Sequence, residues 1–182
     1  VSVLEREFGV RGKRYAVFCG IGNNGGDGFV VARKILSNGG AARVFILGDP
    51  GRFQGAAKAN LHILERLSLD VSVVASPSDL YTPLRHMDGI VDAIFGTGLD
   101  REVGGIYREA IDLINRVGKR ALALDIPSGI HGETGQVMGT AVRAEATITF
   151  GLPKVGNLLY PGYGHCGRLY LSHISFPPSL YE

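Results

Sequence analysis

The sequence predicts an α/β domain in which a mostly parallel central sheet is covered by helices on both faces. Three observations lead there. Short β-branched and aromatic runs alternate with longer helical patterns. Most of those runs are apolar throughout, as strands buried on both faces are. Glycine-rich turns gather where the runs end, the edge at which open α/β sheets bind ligands. The chain has 182 residues, 45% of them hydrophobic, with 8 Phe and 7 Tyr. That is enough for one sizeable core, which excludes disorder and collagen and suits a single domain over residues 1–182.

The elements follow in order. Val1-Ser2-Val3-Leu4-Glu5-Arg6-Glu7-Phe8 reads as the end of a helix, so the chain is expected to be a piece of a longer one that has lost a preceding helical segment. Tyr15–Cys19 is the first strand, and Gly20–Gly28 a glycine-rich turn whose residues are expected to use positive φ. A helix then runs from Phe29 to Ser37. Strands at Arg43–Leu47 and Val71–Val74 flank a helix at Gln54–Leu67, and a short helix at Pro83–His86 precedes a strand at Gly89–Ile94. Ile106–Val117 is helical because Ile106, Ala110, Leu113, Ile114 and Val117 share one face. Ala121–Asp125, Ala146–Phe150 and Arg168–Leu171 complete the strands. No linker, low-complexity stretch or repeat of 20 to 50 residues interrupts them.

Charge and cysteine usage narrow the function. With 19 basic and 17 acidic residues the net charge is +2, and without a polybasic run the footprint of a nucleic-acid binder is missing. No stretch reaches the roughly 18 to 20 apolar residues that cross a bilayer, and the start lacks the order of a signal peptide. Cys19 and Cys166 form neither a scaffold spacing nor a CxxC pair, so they read as structural or idle thiols in a reducing compartment. A soluble, cytoplasmic protein with no nucleic-acid or membrane partner is expected.

The chemistry gathers at strand ends. Gly20-Ile21-Gly22-Asn23-Asn24-Gly25-Gly26-Asp27-Gly28 leads into a helix. The N–H groups at that helix start, with roughly half a positive charge, favour a phosphate. Gly20-x-Gly22-x-x-Gly25 also matches the dinucleotide fingerprint, with Asp49 near the spacing of a ribose-binding acid. Alone it fits a tight turn or an NAD-dependent dehydrogenase, for which no hydride-transfer base is recognisable. Strand four delivers Asp92 and then Gly96-Thr97-Gly98-Leu99-Asp100; strand five delivers Asp125-Ile126-Pro127-Ser128-Gly129; strand six delivers Gly151-Leu152-Pro153-Lys154. A carboxylate at the end of a buried strand is costly unless paired, hydrogen-bonded or bound to a cation, so Asp92 and Asp125 are site candidates, with capping the plainer role for Asp92. Lys154 reads either as a cation facing a phosphate or as a solvated loop charge. The five histidines lack metal spacing. Tyr160-Pro161-Gly162-Tyr163-Gly164 reads as a lid, a subunit contact or a rigid turn. Of 27 glycines, 18 follow the carboxyl ends of strands one, four, five and six.

On Gly20–Gly28, Val91-Asp92-Ala93-Ile94-Phe95-Gly96-Thr97-Gly98, Leu124-Asp125-Ile126-Pro127-Ser128-Gly129-Ile130 and Thr149-Phe150-Gly151-Leu152-Pro153-Lys154, in this order, the sequence resembles the YjeF N-terminal domain family of NAD(P)H-hydrate epimerases. The family's opening helical segment with its Met-Glu-x-Ala-Gly type motif has no counterpart here. The resemblance implies a Rossmann-like three-layer sandwich that interconverts the R and S epimers of hydrated NADH and NADPH at C6 of the nicotinamide ring. It places Asn23, Asn24, Gly25, Gly26, Asp27, Gly96, Thr97, Gly98, Leu99, Asp100, Arg101 and Glu102 at the nucleotide and Asp125 at the hydrated ring. It gives a potassium ion to Asn24, Asp92 and Ser128, whose amide, carboxylate and hydroxyl oxygens are hard donors suited to such a cation. Inversion needs a proton donor and acceptor near C6, and Asp125 is the expected general acid/base, with burial and a neighbouring cation acting on its proton in opposite directions. A homodimer and a fused or partner dehydratase are also implied. The alternative is a non-catalytic nucleotide-binding or protein-interaction module of the same fold.

Overall fold

The computed structural model describes residues 2–174 together with Pro177 and Ser179. Its sheet has seven strands: β1 Arg14–Cys19, β2 Ala41–Ile46, β3 Asp70–Val73, β4 Gly89–Ala93, β5 Ala121–Leu124, β6 Ala146–Phe150 and β7 Arg168–Ser172. They lie in the order β3-β2-β1-β4-β5-β6-β7, and every neighbouring pair is parallel. β1 pairs with β2 on one side and β4 on the other, so the chain reverses its direction of travel across the sheet there. Beyond the carboxyl ends of β1 and β4 lies the crevice in which folds of this class take ligands.

Helices α1 Ser2–Phe8, α2 Asn23–Ser37 and α3 Gly55–Arg66 cover one face, while α4 Tyr81–Arg85 and α5 Gly105–Val117 cover the other. The strand period of two divides β1 between them. Tyr15, Val17 and Cys19 pack with Phe29, Ala32 and Ile35 of α2, whereas Ala16 and Phe18 pack with Leu84 of α4 and Ala110, Ile111 and Ile114 of α5. The result is a three-layer sandwich with a core on each side of the sheet. Each fully buried Leu, Ile or Phe contributes about 1.5–3 kcal/mol to it. Among the described residues no helix is long and apolar enough to cross a membrane.

The periodicity finds all seven strands within a few residues and misses two short helices, α6 Val155–Leu158 and α7 Tyr163–Cys166, which at four residues each are too brief to show a period. The main correction concerns α2. It begins at Asn23, six residues ahead of the expected Phe29, so Asn23-Asn24-Gly25-Gly26-Asp27-Gly28 forms helix and not loop. Nor does any glycine from Gly20 to Gly28 adopt positive φ. They are glycine because the helix start is pressed onto its neighbours. A Cβ at Gly25 would stand 2.0 Å from the Gly20 carbonyl oxygen, and one at Gly28 would stand 2.7 Å from both Ala93 Cβ and Cys19 Sγ. Packing overrides the low helix propensity of glycine.

Candidate functional site

A cleft of about 820 Å³ runs along the carboxyl edge of the sheet. Asn23, Asn24 and Asp27 reach it from the first turns of α2, Gly96, Thr97, Gly98, Leu99, Asp100, Arg101 and Glu102 from the loop after β4, and Asp125 from the end of β5. Gly25 and Gly26 do not line it; Gly26 faces Ala57 of α3, where a Cβ would lie 2.8 Å from the alanine methyl. Gly22 caps α2 with extended backbone and no side chain, and the first helical bond runs from Gly26 N–H to Gly22 O at 3.2 Å. The N–H groups of Asn23, Asn24 and Gly25 precede that bond, which leaves a helix start suited to an anion.

Asn24, Asp92 and Ser128 meet around the main chain of Phe95. Phe95 N–H donates to Ser128 Oγ at 2.8 Å, and Asn24 Nδ2 donates to Phe95 O at 3.0 Å. Ser128 donates to Asp92 twice, from Oγ to Oδ1 at 2.5 Å and from its N–H to Oδ2 at 2.8 Å, and Ile94 N–H adds a third bond to Oδ1 at 3.2 Å. Asp92 is fully buried, and among the described residues no Lys, Arg or His comes within ion-pair distance of it. Burial pushes its carboxyl up to about 6, against the three hydrogen bonds that pull the other way. Asn24 Oδ1 is buried with no hydrogen-bond partner. An orphaned amide oxygen beside an uncompensated carboxylate is an arrangement that a hard cation completes. The described residues hold no cluster of three or more His, Cys, Asp or Glu that would favour a transition metal.

Asp125 stands next to this group. Gly96 separates them, since a Cβ there would lie 3.5 Å from Asn24 Cβ and 3.6 Å from Asp125 Oδ2. Asp125 has φ +69°, in the left-handed region that costs a non-glycine residue about 1–2 kcal/mol. The surroundings hold it there. Its N–H donates to Ile148 O at 2.7 Å, Asn157 Nδ2 donates to its carbonyl at 3.0 Å, and Phe150 N–H donates to Oδ1 at 3.1 Å. Lys154 Nζ also donates to Oδ1, and gives its remaining bonds to Phe150 O at 2.7 Å and Thr149 Oγ1 at 3.1 Å. Lys154 is therefore neither a solvated loop charge nor a cation facing the cleft; it stands behind Asp125 and leaves Oδ2 on the cleft side. Partial burial, and to a smaller degree the charge of Asp125, push the Asp27 carboxyl up.

Cleft residues that a reading of strand ends does not single out include Arg52, Phe95 and Tyr107. Phe95 and Tyr107 stack in tilted fashion with centroids 4.9 Å apart. Phe95 was hidden within its motif, and Tyr107, on one helical face with Ala110, Ile111 and Ile114, reads as part of the apolar side of α5 that packs on the sheet. Asp49 does not line the cleft: its Oδ1 caps the turn at Gly51 N–H, 2.8 Å away, and Arg52, three residues on, lines it instead. Cys19 and Cys166 are buried free thiols.

The sequence matches the family described as YjeF-related protein N-terminus over residues 1–156. It is 48% identical over 169 residues to a bifunctional NAD(P)H-hydrate repair enzyme of Thermofilum pendens, which covers 92% of this chain and 32% of that protein. The chain thus spans about a third of the length of such bifunctional relatives. An NAD(P)H-hydrate epimerase of Levilactobacillus brevis is 38% identical over 161 residues, 88% of this chain and 72% of its own. The crystal structure of the yeast protein ynu0 superposes with a TM-score of 0.83 at 22% identity, over 97% of this chain and 75% of that one, a likeness of fold.

Proposed function

The chain belongs to the YjeF-related N-terminal family, and from that premise we propose that it is an isomerase that interconverts the R and S epimers of hydrated NADH and NADPH at C6 of the nicotinamide ring. One observation carries the reading: two strand-end carboxylates 33 residues apart in sequence, Asp92 and Asp125, converge with Asn24 at one end of a dinucleotide-sized cleft.

The hydrated ring lies with C6 toward Asp125, and the phosphates lie over the start of α2. Lys154 and the Phe150 N–H hold Asp125 by Oδ1, and Oδ2 faces the substrate. As the C6–O bond breaks, the ring-nitrogen lone pair forms the N=C6 bond, and the departing hydroxyl takes a proton from Asp125, the general acid, through Oδ2 and leaves as water. Water then adds to the opposite face, the N=C6 pair returns to nitrogen, and the added water loses a proton that returns through solvent to Asp125. Phe95 and Tyr107 give the ring an apolar wall. Asn24, Asp92 and Ser128 would hold a potassium ion, which supplies the positive charge that buried Asp92 lacks and stiffens the Phe95 turn. Pairing of two copies and a fused or partner dehydratase belong to the same reading, in keeping with the bifunctional names of its relatives.

The test is direct. The protein is mixed with the R epimer of hydrated NADPH, with and without potassium, and the epimer ratio is followed by chromatography. Conversion faster than the spontaneous rate is expected; a rate equal to the spontaneous one would leave the non-catalytic module as the better reading.

A further inference from the structure

We propose that the β2 end of the cleft is a phosphate subsite, and that Arg52 is a specificity-determining residue which favours a dinucleotide carrying a phosphate on its adenosine ribose over one without. The inference rests on the reading above, which sets the nicotinamide at Asp125. Strand order supplies the distance. β2 lies three strands from β5, so at ~4.8 Å per strand the two ends of the cleft are about 14 Å apart. A dinucleotide with its ring at Asp125 and its pyrophosphate over the start of α2 brings its adenosine to the end of β2.

The turn after β2 is built to deliver an arginine to that place. Gly48 has φ +108°, and a Cβ there would come within 2.8 Å of Ile21 Cγ1 and 3.1 Å of Tyr107 Oη, so its main chain packs directly against two cleft walls. Asp49 then spends its carboxylate on the Gly51 N–H and is not turned toward the cleft. In dinucleotide sites of this topology an acid at the end of strand two accepts the ribose hydroxyls, whereas an arginine accommodates a ribose phosphate. Here the acid is committed to a turn, and Arg52, three residues on, lines the cleft. Among the described residues no carboxylate lies within ion-pair distance of Arg52. The cleft's other arginine, Arg101, is in the loop after β4. A planar guanidinium with no carboxylate partner binds a phosphate bidentately.

Two measurements test this with wild type and Arg52→Ala. Calorimetric binding of adenosine 2′,5′-bisphosphate and of adenosine 5′-monophosphate needs no activity. Wild type is expected to bind the bisphosphate more tightly, and the variant to lose about 10- to 100-fold on the bisphosphate and less than about threefold on the monophosphate. The kcat/KM for hydrated NADPH is expected to fall by the same factor while that for hydrated NADH stays within about threefold, with Arg52→Lys recovering part of the loss. Equal losses on both ligands, no loss on either, or no preference in wild type would overturn the subsite. Should wild type fail to epimerise either substrate, the binding measurement still decides for or against Arg52, so the two failures are separable.

Discussion

The two edges of the sheet treat their polar groups in opposite ways. At the amino edge the charges are matched. Arg120 holds Glu145 through two bonds of 2.8 Å, Arg168 reaches Glu7 at 2.9 Å and Glu145 at 3.2 Å, Tyr170 donates to Glu7 at 2.7 Å, and Arg120 also donates to the Glu7 carbonyl at 2.8 Å. Those contacts tie α1 to β5, β6 and β7. At the carboxyl edge Asp92 is buried without a cation, Asn24 Oδ1 and Asn157 Oδ1 have no partners, and Asp125 sits in the left-handed region. Paired charges at an edge serve the fold, and groups left incomplete in a buried place are completed by a ligand. A substitution at the carboxyl edge should therefore cost activity first, and one at the amino edge stability alone.

The sharpest way to break this contrast is Asp125→Asn. It keeps the size of the side chain, and asparagine tolerates the left-handed conformation, so a cooperative fold should persist. Loss of a general acid/base predicts a fall in epimerisation of about 10²–10⁴-fold, read by the chromatographic assay. An unchanged rate would remove Asp125 from the mechanism.

Next comes a pair of glycines on the same edge that separates packing from openness. Gly25→Ala sets a Cβ 2.0 Å from a carbonyl oxygen that cannot move without its strand, whereas a Cβ at Gly98 meets nothing within 4 Å. Overpacking predicts about 1–3 kcal/mol for Gly25→Ala, or a Tm lower by roughly 2–12 °C for a chain of this size. Gly98→Ala should leave Tm within about 2 °C. Thermal unfolding by circular dichroism reads both, and similar Tm values would mean that the helix start is not pressed on the sheet as described.

These glycines also show where sequence reading reached and where it stopped. The strands were legible because β5 and all but one residue each of β1 and β4 are apolar, and Asp92 and Asp125 stood out because a carboxylate there needs a reason. The start of α2 was not legible, since local propensity argues against a helix through Gly25, Gly26 and Gly28 and only contact with Gly20, Ala57 and Ala93 reverses it. Lys154 was ambiguous because its role depends on Asp125, 29 residues away, and pairing across the fold leaves no local pattern. Arg52 was passed over in favour of Asp49 because spacing alone cannot tell which side chain the turn commits to its own cap.

The cation cluster offers a smaller effect. Replacing potassium by tetramethylammonium, which is too large for the Asn24 and Ser128 oxygens, should lower Tm by a few degrees. A cation at 100 times its Kd stabilises by about 2.7 kcal/mol, roughly 5–11 °C at most for a domain of this size. Asn24→Ala should abolish the difference between the two salts. A Tm indifferent to the cation in wild type would leave Asn24 Oδ1 without the partner proposed for it.

The smallest effect belongs to the amino edge and completes the contrast. The Arg120 hydrogen bond holds the Glu145 carboxyl below its ordinary range. A carboxylate whose folded pKa is depressed adds stability above its unfolded pKa and loses it as pH falls through the folded one. Both partners are more than a third exposed, so the pair contributes less than about 1 kcal/mol. Glu145→Gln should thus lower Tm at pH 7 by no more than about 4 °C, with the gap closing as the pH falls below the glutamate range and narrowing in high salt. Its epimerisation rate should equal that of wild type. A loss of activity here would mean that the amino edge reaches the cleft through β5, and the division of labour between the two edges would fail.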